Sequence, residues 1–145
     1  MNIKIRDYKQ DDLAALAELN TELGYPIDIE DMAKVMIQVE SLTNTRTLVA
    51  ELNDKVIGYL GMSVNYPWER SACFVRVQSL VVSEKYRQKG IGKSLMSAAE
   101  SWAKELNAET IALNCGNRSE REPAHKFYQS LGFEIKTSGY RKKVI

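Results

Sequence analysis

The stretch "LVVSEKYRQKGIGKSL", Leu80 to Leu95, constrains the fold more than any other part of the chain. It starts in aliphatic and β-branched residues, crosses a cluster of charge, turns through Gly90 and Gly92, and enters a helical pattern. In that pattern Ile91, Leu95, Ala98, Ala99, Trp102 and Leu106 share one face, "NAE" closes the helix, and "TIALNC" follows as a short buried strand. The spacing therefore predicts β-α-β about a glycine-bearing loop. Such a loop leaves the first helical N–H groups unpaired and aims the positive end of the helix dipole at one spot, which suits an anion, usually phosphate. Arg87, Lys89 and Lys93 would add charge there, although a solvated turn also accounts for these residues.

The flanking segments fix the context. In "NIKIRDY" Ile3 and Ile5 point one way as in a strand, and "DDLAALAELNTEL" then sets Leu13, Leu16, Ala17 and Leu23 on one helical stripe. "GYP" interrupts at Gly24 to Pro26, and Asp28 is the expected N-cap of a second helix carrying Ile29, Met32, Ala33 and Met36. Three strand-like runs follow, "TRTLVAEL", "VIGYLGMSV" and "ACFVRVQSLVV", separated by turns at "NDK" and "NYPWERS", which predicts an antiparallel meander. Near the end, Ala124, Phe127, Tyr128 and Leu131 trace a helix that Gly132 stops, with "SERE" as its N-cap through Ser119 and Glu122. "FEIKTSGYRKKVI" is expected to form a last pair of short strands about Ser138 and Gly139. The order β-α-α-β-β-β-α-β-α-β-β implies an α+β fold with a mixed, mostly antiparallel sheet.

Length and composition narrow the partners. A chain of 145 residues with 44% apolar content can bury one core, so residues 1–145 are expected to form a single domain. A net charge of +1 argues against a nucleic-acid-binding surface and makes any anion site local. No apolar run approaches the roughly 18 residues of a membrane span, and the first residues lack a signal-like apolar stretch, so a cytoplasmic location without membrane attachment is expected. Cys73, Cys115 and the single His125 cannot assemble a metal set, so no metal is expected.

Spacing separates the phosphate motifs. "GKS" at Gly92, Lys93 and Ser94 ends like a Walker A, but that motif needs its first glycine where Arg87 stands. A dinucleotide fingerprint needs a small residue where Leu95 stands. What remains is R-x-x-G-x-G, "RQKGIG", after a strand. With this motif, with "SLVVSEKYRQKGIGKSL" as its β4-loop-α3 segment, and with "AHKFYQSLGFE" as its α4-β7 hinge, nearly the whole chain resembles the GCN5-related N-acetyltransferase (GNAT) family.

That resemblance implies a sheet of six or seven strands flanked by four helices and splayed between β4 and β5. It also implies an acyltransferase that moves the acetyl group of acetyl-CoA to a primary amine by direct attack in a ternary complex. Main-chain groups of Leu80, Val81 and Val82 would pair with the pantetheine arm of coenzyme A, and Arg87, Gln88, Lys89, Gly90, Ile91, Gly92, Lys93 and Ser94 would hold its pyrophosphate. Asn117 would also meet the cofactor, although Arg121 stands where many relatives place the contacting asparagine. Tyr128 matches the tyrosine that protonates the leaving thiolate, a role that competes with plain packing on its apolar stripe.

The base is left open. Many relatives carry a carboxylate on β4 near Gln78 and Ser79, and this chain has none there. Glu22 and Glu69 are candidates through a bridging water, and His125 can act as acid or base or simply pack near the cofactor. A Cys115 acyl-enzyme is a further route, disfavoured because the family transfers directly. On the acceptor side, Glu22, Tyr25 and Trp68 would offer a carboxylate and aromatic faces to a cationic amine. A homodimer is compatible with the edge strands. A second reading, an acyl-CoA-binding sensor without turnover, draws on the missing β4 carboxylate.

Overall fold

The computed structural model describes residues 2–145, and the chain falls into two compact units, one up to Ala112 and the other Leu113–Ile145. In the first unit β1 (Ile3–Asp7) leads through a short 3-10 turn into α1 (Leu13–Leu23) and then α2 (Ile29–Glu40). The strands β2 (Thr45–Leu52), β3 (Lys55–Asn65) and β4 (Phe74–Val82) follow, then α3 (Ile91–Glu105) and β5 (Thr110–Leu113), whose last residue already belongs to the second unit. The sheet order is β1-β2-β3-β4-β5. The first four strands pair antiparallel, and β5, which returns through α3, runs parallel to β4 and splays from it.

Register divides the sheet into two faces. Val49, Tyr59 and Val81 lie side by side across β2, β3 and β4 and pack with Leu16, Ala17, Leu19, Met32 and Met36 of α1 and α2. Leu48, Leu60 and Leu80, one residue along each strand, therefore face the other way, where Ile91, Leu95, Met96 and Ala99 of α3 are buried. Both layers are thus covered over the centre of β3.

Local chemistry sets the boundaries. The Asp28 carboxylate accepts the Asp31 N–H at 2.8 Å, so Asp28 caps α2 as its sequence position predicts. Asn53 and Asp54 both take positive φ, 50° and 63°, the twist that a two-residue hairpin between β2 and β3 requires. The entry to α1 is held by a buried ion group. Arg6 donates to both Asp12 oxygens at 2.8 and 2.9 Å and to Glu51 at 3.0 Å, while the Lys9 N–H reaches Asp12 at 2.9 Å. Burial alone would raise the Asp12 carboxyl, but the Arg6 fork and the Lys9 N–H outweigh it and hold the group below the ordinary carboxylate range.

The second unit contains α4 (Glu122–Ser130), whose apolar stripe ends at Gly132 as predicted. The Phe133 N–H bonds the Tyr128 carbonyl and the Gly132 N–H bonds the Gln129 carbonyl, with Gly132 at φ 93°, a paired closure that satisfies two terminal carbonyls. Two expectations differ here. Among the described residues the sheet has five strands, because residues 134–145 form no regular element and their apolar side chains Ile135, Tyr140, Val144 and Ile145 lie exposed. A strand pair needs a buried face, and this run of lysine, arginine, serine and glycine supplies none. Nor does Ser119 cap α4. A 3-10 turn over Ser119–Arg121 comes first, the helix starts at Glu122, and Pro123 in its first turn needs no N–H partner.

Candidate active site

The opening loop has the geometry of an anion cradle. Beyond β4 a 3-10 turn (Glu84–Tyr86) leads to Gln88 and Gly90, which take left-handed backbone conformations at φ 61° and 83°, and α3 begins at Ile91. Glycine suits that position because a side chain at positive φ is strained. The first helical acceptor is the Gly90 carbonyl, taken by the Ser94 N–H at 3.0 Å, so the N–H groups of Ile91, Gly92 and Lys93 have no helical carbonyl to bond. Ile91 is fully buried and anchors the turn, while Arg87, Gln88, Lys89 and Lys93 are exposed around it. Alternating left-handed residues before a helix N-terminus turn successive N–H groups toward one concavity, which is how backbone holds phosphate.

Side chains of the loop are partly committed. Arg87 Nε donates to the Val82 carbonyl at 3.2 Å, which ties the loop to the end of β4. The Ser94 hydroxyl donates to the Gly90 carbonyl at 3.0 Å, and Lys89 Nζ lies 5.8 Å from the centre of the Tyr86 ring. Lys93 and the rest of the Arg87 guanidinium are left to meet an anion.

The strand end has free main-chain groups. The Ser83 N–H bonds the Ile57 carbonyl at 2.8 Å, so Ser83 and Val81 turn their backbone groups toward β3, and Leu80 and Val82 turn theirs away from it. Val81 is buried core, whereas Leu80 and Val82 are half-buried and carry the outward main-chain groups. Farther up the strand, register shifts where Gly61 pairs with Ser79 and Met62 with Val77, so Gln78 is an extra, exposed residue in β4. Alternation from Val81 keeps Ser79 on the α1–α2 face, two register positions from the Tyr59–Val81 pair, and the bulge shifts the residues before it.

A groove of about 990 Å³ runs on that side of the first unit, lined by Glu18, Thr21 and Glu22 of α1, Asp28 and Glu30 at the start of α2, and Ser83 and Lys85 after β4. Among the predicted acceptor residues only Glu22 lines it, with Ser83 Oγ 3.5 Å from its carboxylate. Tyr25 is exposed, and Trp68, like Glu69, sits fully or largely in solvent in the β3–β4 loop.

In the second unit Tyr128 is half-buried between two rings, edge-on to Phe127 at 5.2 Å and to Phe133 at 5.9 Å. Burial and the neighbouring Cys115 push its phenol above 10, partly offset by Arg121, so it keeps its proton at neutral pH. His125 Nε2 lies 2.7 Å from the Gly116 carbonyl and so pins the loop before α4. Asn117 is exposed in that loop, and Arg121 approaches Cys115 Sγ at 3.9 Å.

Sequence reasoning missed a chain of side-chain hydrogen bonds. Ser79 Oγ lies 3.1 Å from Tyr59 Oη, Tyr59 Oη lies 2.5 Å from Asn20 Oδ1, and Asn20 Nδ2 lies 3.3 Å from Met32 Sδ. The only sequence signal was an asparagine and a tyrosine placed where apolar stripes are expected. Among the described residues no group of three His, Cys, Asp or Glu side chains is disposed to hold a metal, and no helix is long and apolar enough to cross a membrane.

Comparison with known proteins agrees with this geometry. Residues 13–133 match the model of the Acetyltransferase (GNAT) family. The chain is 30% identical over 118 residues to the uncharacterized N-acetyltransferase YvbK of Bacillus subtilis (strain 168), covering 81% of this chain and 71% of that one. It is 35% identical over 69 residues to the uncharacterized N-acetyltransferase YhdJ of the same organism, covering 47% of each, so the match spans about half that relative's length. A crystal structure of a GNAT family acetyltransferase from Staphylococcus aureus subsp. aureus USA300_TCH1516 superposes with a TM-score of 0.85 at 29% identity, over 99% of this chain and 100% of that one.

Proposed function

The chain belongs to the acetyltransferase (GNAT) family, and from that premise we propose that it transfers the acetyl group of acetyl-CoA to a primary amine of a small-molecule or protein acceptor. The observation that carries the reading is the pair of left-handed residues Gln88 and Gly90 set before three helical N–H groups without partners. That donor set fits a pyrophosphate, with Arg87 and Lys93 adding charge. The proposal takes both units as parts of one acetyltransferase domain.

Each residue then has a task. The pantetheine arm runs up β4 from the loop beside the outward main-chain groups of Val82 and Leu80, as a neighbouring strand would. The Val82 carbonyl is already held by Arg87, so the Val82 N–H pairs with a pantetheine amide and the Leu80 N–H, farther from the loop, faces the acetyl carbonyl oxygen. Acetyl-CoA supplies an activated thioester. The amine must arrive neutral, although a lysine-like amine with pKa about 10.4 is almost wholly charged at neutral pH. Its proton leaves through water toward the acidic groove, where the Glu22 carboxylate lies 3.5 Å from Ser83 Oγ. The nitrogen attacks the carbonyl carbon and gives up its second proton to water, the carbon–sulfur bond breaks, and Tyr128 gives its phenolic proton to the departing sulfur and regains one from water.

Gln78 favours one competing reading, an acyl-CoA sensor, because the bulge of β4 presents an amide where a general base would stand. Thiol release with acetyl-CoA against a panel of primary amines separates the two. Saturable turnover on any amine supports transfer; tight acetyl-CoA binding with no thiol release on every amine supports the sensor.

A further inference from the structure

The hydrogen-bond chain from Met32 to Ser79 takes the polarity in which Asn20 turns its amide nitrogen to Met32. A thioether sulfur accepts and never donates, so the Asn20 group 3.3 Å from Met32 Sδ is the amide nitrogen, and its carbonyl oxygen faces Tyr59. A carbonyl oxygen only accepts, so the single hydroxyl proton of Tyr59 goes to Asn20. Tyr59 Oη can then only accept from Ser79, 3.1 Å away, and the Ser79 proton is committed to it. Ser79 Oγ is left with open lone pairs and no proton to offer. Met32 is 2% exposed and Tyr59 7%, so water does not readily compete for these bonds.

The surroundings leave room for a donor. Ser79 is partly exposed and follows the extra residue Gln78, and its cross-strand partner is Gly61, which presents no side chain beside the hydroxyl. A Cβ built on Gly61 would sit 3.8 Å from Ser79 Cβ, in the space beside Ser79 that the glycine leaves empty. Along β4, Ser79 directly precedes Leu80, whose outward N–H faces the acetyl carbonyl, and its side chain lies on the face that carries α1 and α2.

We infer that Ser79 Oγ receives an N–H of the acceptor amine, and that Asn20 and Tyr59 are positioning residues that make Ser79 an obligate hydrogen-bond acceptor. This rests on the acetyltransferase reading and adds to it the group that distinguishes a nitrogen acceptor from one bearing only lone pairs. An amine or ammonium offers the proton this site lacks; an ether or carboxylate does not.

The test is a double-mutant cycle on the full chain with saturating acetyl-CoA, using the best acceptor from a panel of ethanolamine, putrescine, glycinamide and a lysine peptide. Ser79→Ala is expected to raise the amine KM about tenfold, the loss of one hydrogen bond to a charged group, and to leave the acetyl-CoA KM unchanged. Tyr59→Phe is expected to raise the amine KM about threefold in the wild-type background and not at all in the Ser79→Ala background, because Tyr59 acts through Ser79. Ser79→Thr keeps the hydroxyl and restores the wild-type KM. An amine KM unmoved by Ser79→Ala, or an equal Tyr59→Phe effect in both backgrounds, overturns the assignment while leaving the acetyltransferase reading intact. A second arm needs no turnover: methylammonium is titrated into coenzyme A-loaded, isotope-labelled protein and followed at the Ser79 and Leu80 amide signals. A saturable shift that Ser79→Ala weakens about tenfold supports the assignment even if no amine is acetylated. No shift in the wild type, or one that Ser79→Ala leaves unchanged, overturns it.

Discussion

Phe74–Glu105 and Leu113–Ile145 both pass from apolar stretches into charged, glycine-bearing turns, yet they bury their apolar residues very differently. In the first, Val75, Val77, Val81, Ile91, Leu95, Met96 and Ala99 are almost wholly buried. In the second none is, α4 included, and the last twelve residues form no element. The first segment meets a sheet already built by β1, β2 and β3, so a helix laid on it removes apolar surface from water at once. The second has a helical stripe that periodicity alone reveals, but its would-be strands carry too little apolar surface to repay ordering. Periodicity predicts an element; whether it is buried depends on partners elsewhere in the chain.

The largest expected effect strikes the ordered segment. Gly92→Glu puts a carboxylate into the first turn of α3 beside the unpaired N–H groups, and acetyl-CoA binding is expected to fall at least about 100-fold while the melting temperature stays within a few degrees. Calorimetry and a thermal melt read the two together. Retained affinity would separate the loop from the cofactor and remove its contrast with the tail.

Next in size is a stability effect at the start of α1. Asp12→Ala strands the Arg6 guanidinium beside Glu51 in a half-buried place and is expected to cost about 3 kcal/mol in urea unfolding. The pH dependence has a definite sign. Because the folded Asp12 carboxyl titrates below its unfolded value of about 3.9, the stability it contributes is complete above that value and is lost as pH falls through the folded one. Wild type is therefore expected to lose stability in that acid window, and Asp12→Ala to lose correspondingly less there. Equal acid slopes would show that Asp12 does not carry this dependence.

Tyr128→Phe probes the one chemical task proposed for the second unit. Binding of acetyl-CoA is expected to be spared and turnover to fall about 100-fold. The phenol is held above 10, so the wild-type rate is expected to show no decline from this group on the alkaline side until beyond pH 10. Unchanged turnover would reduce Tyr128 to a packing residue between Phe127 and Phe133. The smallest effect is expected at the tail, where Tyr140→Ser, at a side chain 95% exposed, changes stability by no more than about 0.5 kcal/mol.

Features written in adjacent residues were legible in the sequence. Asp28 caps α2, Asn53 and Asp54 close the hairpin, Gly132 ends α4, and the R-x-x-G-x-G loop takes the conformation its glycines permit. Features that depend on distant pairing were not. The extra residue at Gln78 follows from the register against β3, and the Tyr59 bonds join residues 20 and 39 positions apart. Arg6 and Asp12 are close in sequence, but Glu51 enters only because β1 pairs with β2. Ser119 misled because a cap motif specifies a hydrogen bond and not the turn at which the helix starts.

The most direct test is calorimetric titration of the full chain with acetyl-CoA at two ionic strengths. A cradle of backbone N–H groups with Arg87 and Lys93 predicts saturable 1:1 binding that weakens with salt and is lost in Gly92→Glu. No heat of binding above background, or equal binding by wild type and Gly92→Glu, would contradict the assignment of this loop to the pyrophosphate.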